Sequence, residues 1–114
     1  MSTSQQLHQQ AMVIAGEAFA AQREGDYNRY IELTKAAFEK EKEAAWPLFH
    51  KFEAEPTRSV LFRSAAQLAF NCGKIREAER LISAALAGDP PLEILQQLRA
   101  LNREVQESLD AVVA

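Results

Sequence analysis

Between Glu43 and Glu55 the chain gathers side chains of the types that move protons, with His50 flanked by Glu43, Glu53 and Glu55. An imidazole beside a carboxylate is the minimum for general acid–base work. The rest of a catalytic constellation is missing: no serine or cysteine nucleophile stands beside His50, no glycine-rich stretch offers a phosphate loop, and the one other histidine, His8, is far away in the sequence. Cys72 is the only cysteine, so it forms no internal disulfide. Its neighbours Asn71 and Gly73 supply no base to activate a thiol, and it reads as a small apolar residue near a helix end. Asp26, in a turn, reads as a helix cap. The expectation is a chain with no catalytic centre, no metal and no cofactor, His50 lying on a charged helix surface. Catalysis centred on His50 is the weaker alternative.

The elements that would hold any site follow from composition and periodicity. The chain has 114 residues, enough for one domain with a real core. Apolar residues make up 47% and charged residues 25%, the balance of a globular protein, and four glycines and four prolines leave little material for a turn-rich β fold. The expected class is all-α. Net charge is −3, with acidic and basic residues interspersed, so there is no broad positive face for nucleic acid. The start, MSTSQQLHQQ, lacks the basic and apolar segments of a signal peptide, and no stretch approaches the roughly 18 apolar residues of a membrane span. The expected location is the cytoplasm.

Five helices can be traced. Leu7, Ala11, Ile14, Ala18 and Ala21 form the stripe of a first helix, stopped by Gly25. A second helix runs back from Tyr27 through Phe38 into the charged stretch EKEKE, Glu39–Glu43, which is expected to project past the core as a solvated segment. Pro47 then either kinks this helix or opens a short new one. Trp46, Phe49 and Phe52 give that segment an apolar character suited to self-association. After Pro56, Thr57 or Ser59 is expected to cap a third helix carrying Phe62, Ala65, Ala66 and Ala69. A fourth runs from Ile75 to about Ala87, and a long fifth follows the prolines with Leu95, Leu98, Leu101 or Asn102, Val105 and Leu109.

The hairpins are alike. Aligning Gly25 with Gly73 places Tyr27 with Ile75, Ala37 with Ala85 and Phe38 with Leu86, a self-similarity typical of helical repeats. Pro56 and Pro90 are 34 residues apart and enclose, in order, Phe62, Ala65, Ala66, Ala69, Gly73, Ile75, Ala78, Ile82 and Ala85. That pattern resembles a tetratricopeptide repeat over Ser59–Pro90. The resemblance implies antiparallel hairpins stacked as a short right-handed superhelix: 5–55 as a first hairpin with an elongated or kinked second helix, 57–90 as the best-matching repeat, and 91–113 as a capping helix. The first unit departs from the pattern. Tyr30 stands where alanine is usual, and the turn glycines are 48 apart, 14 more than one repeat.

In that family the first helix of each pair lines a concave groove. By position this implies a partner-binding face with Met12, Phe19 and Arg23 from the first helix and Arg63, Gln67, Phe70 and Asn71 from the third. Met12 and Phe19 lie off the core stripe, so the first helix has a second apolar face that must be covered. The fifth helix, another copy of the chain or a partner segment could cover it, and Arg58, Arg63 and Asn71 beside it are suited to a carboxylate or peptide backbone. The expected function is a small adaptor that binds a protein or peptide partner, with a self-associating structural protein as the alternative.

Overall fold

The structure is a computed structural model and describes residues 3–113, so the ends of the expected 1–114 domain lie outside the described residues. Five helices run α1 (Thr3–Arg23), α2 (Tyr27–Ala45), α3 (Thr57–Asn71), α4 (Ile75–Leu86) and α5 (Leu92–Val113), with 3₁₀ turns at Trp46–Leu48 and Phe52–Ala54 between α2 and α3. Among the described residues there is no strand, and the fold is all-α as the sequence predicts.

Two turns of the same construction reverse the chain. Gly25 and Gly73 have φ of 80° and 86°, a region that L side chains avoid. After α1, the N–H groups of Glu24, Gly25 and Asp26 donate to the carbonyls of Ala20, Gln22 and Ala21. After α3, those of Cys72, Gly73 and Lys74 donate to Leu68, Phe70 and Ala69, bond for bond the same pattern 48 residues on. These bonds satisfy carbonyls that each helix end would leave unpaired. Asp26 caps α2 by accepting from the Arg29 N–H at 3.2 Å.

Packing centres on α3, which lies against α2 on one side and α4 on the other, while α5 packs on α4 and α3 and α1 packs chiefly on α2. Fully buried alanines (Ala37, Ala65, Ala66, Ala69, Ala78 and Ala85) let the helices approach, and Phe38, Phe62, Leu81, Ile82, Leu98 and Val105 fill the space between them.

Two expectations are corrected, the projection of the charged stretch and the capping of α3, and the choice left open at Pro47 is resolved as a short new element. The charged stretch of α2 does not project: Glu41, Ala44 and Ala45 are buried, because Thr34, Phe38, Glu41 and Ala45 recur on one face of the helix and that face is inside. The segment after Pro47 folds back as two 3₁₀ turns, with the Trp46 and Phe49 rings 5.1 and 6.3 Å from that of Phe62. Neither Thr57 nor Ser59 caps α3. The Glu55 carboxylate does so from outside the helix, accepting from the Ser59 N–H at 3.0 Å and the Ser59 hydroxyl at 2.8 Å.

Candidate functional site

With α2 and α4 behind them, α1, α3 and α5 leave a groove of about 530 Å³. Met12 and Ala15 contribute from α1, Arg63, Ser64, Gln67 and Leu68 from α3, and Gln97, Ala100, Leu101 and Glu104 from α5. Leu68 and Leu101 are buried against the core and give the groove an apolar floor, and its polar lining consists of the Gln67 and Gln97 amides, the Ser64 hydroxyl, the Arg63 guanidinium and the Glu104 carboxylate. Arg63 Nη1 donates to the Gln97 side-chain oxygen, joining the α3 and α5 walls.

Of the residues expected on the concave face, Met12, Arg63 and Gln67 meet here. Phe19 and Arg23 lie outside the lining and pair with each other, the guanidinium carbon 5.2 Å from the ring centroid. Phe19 is 58% exposed, so α5 does not cover the second apolar face of α1. Phe70 packs against the core, and Asn71 accepts from the Gln67 amide at 2.8 Å. The α5 wall is absent from the sequence expectation, although Gln97, Ala100, Leu101 and Glu104 share a helical face spaced three, one and three residues apart.

Arg58 is not beside this groove. It is completely buried, its Nε donating to the Phe49 carbonyl at 3.0 Å and its Nη atoms to Ala85 and Ala84 at 3.3 and 2.7 Å. Those last two carbonyls belong to the C-terminal turn of α4, where a cation is favoured by the helix dipole. Phe49, Phe52 and Phe62 surround the guanidinium with their rings. Glu55 approaches to 3.9 Å and also accepts from the Asp89 N–H at 3.1 Å. Arg58 and Glu55 therefore tie the 3₁₀ segment, α3 and the end of α4 together. Phe49 and Phe52, expected to serve self-association, each turn a ring to this buried cation, while Trp46 and Phe52 keep exposed outer faces.

Unanticipated from the sequence is a pair between His8 and Glu41. Glu41 is wholly buried, and both of its oxygens lie close to His8 Nδ1, at 2.9 and 2.8 Å. A carboxylate is an acceptor, so the Nδ1 proton donates and fixes the ring. His8 is 33% exposed and lines a separate cavity of about 580 Å³ between the start of α1, the 3₁₀ segment and the start of α3. A signal existed: Glu41 occupies the centre of the apolar stripe of α2, where an unpaired charge is costly.

The other chemistry-bearing residues lie apart. His50 is exposed and stacks edge-on with Phe49 at 4.7 Å, with no carboxylate bonded to it. Burial pushes the Cys72 thiol above its ordinary value, against the smaller opposing effects of the Lys74 N–H and ammonium, and Sγ lies 3.5 Å from the Ala69 carbonyl. Such a thiol is a poor nucleophile. Among the described residues no group of three or more His, Cys, Asp and Glu side chains is placed to hold a metal ion, and no helix is long and apolar enough to cross a membrane. No family model, curated protein or solved structure compared with the chain matches it.

Proposed function

We propose that the chain is a small interaction module that takes an extended segment of a partner protein into the groove between α1, α3 and α5. The observation that carries this is the composition of the groove: an apolar floor at Ala15, Leu68 and Leu101 under walls set with Arg63, Gln67 and Gln97. Apolar floors hold alternate side chains of an extended peptide, and side-chain amides pair with its backbone. The matching turns at Gly25 and Gly73 support treating the two hairpins as repeat units of the tetratricopeptide kind, with α5 as cap. Self-association through Trp46, Phe49 and Phe52 has less in its favour, because the rings of Phe49 and Phe52 serve the buried Arg58.

Ala100→Trp tests the proposal. Ala100 is exposed and lines the groove, so an indole there fills it without entering the core. Peptides selected from a random library on the parent chain should bind the variant at least about tenfold more weakly, a loss of about 1.4 kcal/mol. Arg63→Glu should weaken peptides that carry a carboxylate in the same assay. Equal affinity for parent and Ala100→Trp would place binding elsewhere.

A further inference from the structure

We propose that the cavity beside His8 is a second binding site, independent of the groove, for a molecule that presents a hydroxyl on an apolar body. At about 580 Å³ it lies within the range of small-molecule sites. Leu48, Ala54, Val60 and Leu61 provide apolar walls, and Ser4, Gln5 and Thr57 are the polar residues that line it beside His8. It exists because the 3₁₀ segment sits between the start of α1 and the start of α3. His8 supplies a polar contact of defined direction. Its Nδ1 is engaged by the buried Glu41, which itself is not part of the lining, so Nε2, on the far side of the ring, faces away from Glu41 and is the nitrogen left for a ligand.

A hydroxyl is the complementary group. In the neutral ring with its proton on Nδ1, Nε2 is an acceptor; in the imidazolium form it is a donor. A hydroxyl donates to the first and accepts from the second, whereas a carboxylate or an ammonium matches one form alone. Glu41 here is a positioning residue: its two oxygens fix the plane and the tautomer of the ring, as a carboxylate does behind a ligating histidine. The same chemistry is offered by a free phenol or alcohol and by a tyrosine side chain of a docked segment.

The test uses the full chain with nitrogen-detected NMR of the imidazoles and p-cresol as the probe. Saturable shifts are expected at His8 Nε2 and absent at the exposed His50, with toluene at least about tenfold weaker because it leaves Nε2 unpaired. Val60→Trp, which fills the cavity, should abolish the shifts; Ala100→Trp, which blocks the groove, should leave them intact and so separates this site from the groove. A capped tripeptide centred on tyrosine, bound more tightly than p-cresol, identifies the source as a peptide; weaker binding of that tripeptide identifies a free hydroxylated molecule. Equal binding of toluene and p-cresol, or no p-cresol shift at His8 in the folded parent chain, overturns the proposal.

Discussion

Arg58 shows how much one side chain can organise. Its guanidinium is held by three carbonyls, and the chain leaves it room at Gly88, where an added Cβ would stand 2.4 Å from Nη1 and 3.0 Å from a Glu55 oxygen. A free arginine tip would swing aside, but this one is pinned. Gly88→Ala should therefore cost about 1–3 kcal/mol in thermal or urea unfolding, the usual cost of overpacking. Arg58→Met removes the clash along with the cation, so Gly88→Ala should cost measurably less in that background; equal costs would show that the guanidinium is not what Gly88 accommodates. The sequence marks Arg58 only as a basic residue in the first turn of a helix, three residues after Glu55, and that spacing cannot show that the end of another helix lies against it. Cys72 offers a second check at this scale. Its folded-state thiol is raised above the ordinary value of 9.0, so the unfolded chain ionises first. The contribution of burial to stability should be full below about pH 9 and fall as pH rises past it, and Cys72→Ala should flatten that part of the stability profile.

Among the elements, the hairpin of α1 and α2 is held by two different means, and only one was legible. The stripe of Ala11, Ala18 and Ala21 follows from 3.6-residue periodicity and is buried as expected. The His8–Glu41 pair crosses between the helices from positions 33 apart, a separation at which no local pattern operates. The longer second helix was legible, and α2 runs 19 residues against 12 in α4, but the sequence left open whether the segment after Pro47 kinks that helix or starts anew, and it becomes two 3₁₀ turns. Pro47 sets the break, but the direction of the following segment is decided by the aromatic and cationic contacts it finds on α3. The pair can be tested on the element it serves. His8→Leu leaves the Glu41 carboxylate buried without its partner and should cost about 1.5–3 kcal/mol, or roughly 10 °C in melting temperature for a domain of this size. Adding Glu41→Met removes the stranded charge and should recover most of that loss, since an apolar replacement of a buried ion pair is often neutral or stabilising. Failure of the double variant to recover would mean that Glu41 has a role in the hairpin beyond its bond to His8.

At the scale of the whole molecule, the unequal sharing of contacts governs dynamics. The middle helix α3 is enclosed by α2, α4 and α5, whereas α1 rests mainly on α2 and carries exposed Met12, Val13 and Phe19 on its other side. In an array where each helix is secured by its neighbours, the ends open before the middle. Backbone amides of α3 and the buried face of α4 should therefore exchange with solvent most slowly, near the rate set by global unfolding, and those of α1 should exchange faster. The His8–Glu41 bond is a polar tie of α1 to α2 near the start of α1, so His8→Leu should accelerate exchange in the first half of α1 more than in α3. A ligand in the groove, touching α1, α3 and α5 together, should slow exchange in α1 and α5 with little change in α3, because a ligand adds most protection where the free chain has least. Uniform protection across all five helices in the free chain would instead mark a single cooperative unit, and the groove would then be a rigid surface rather than one whose outer walls close on what they bind.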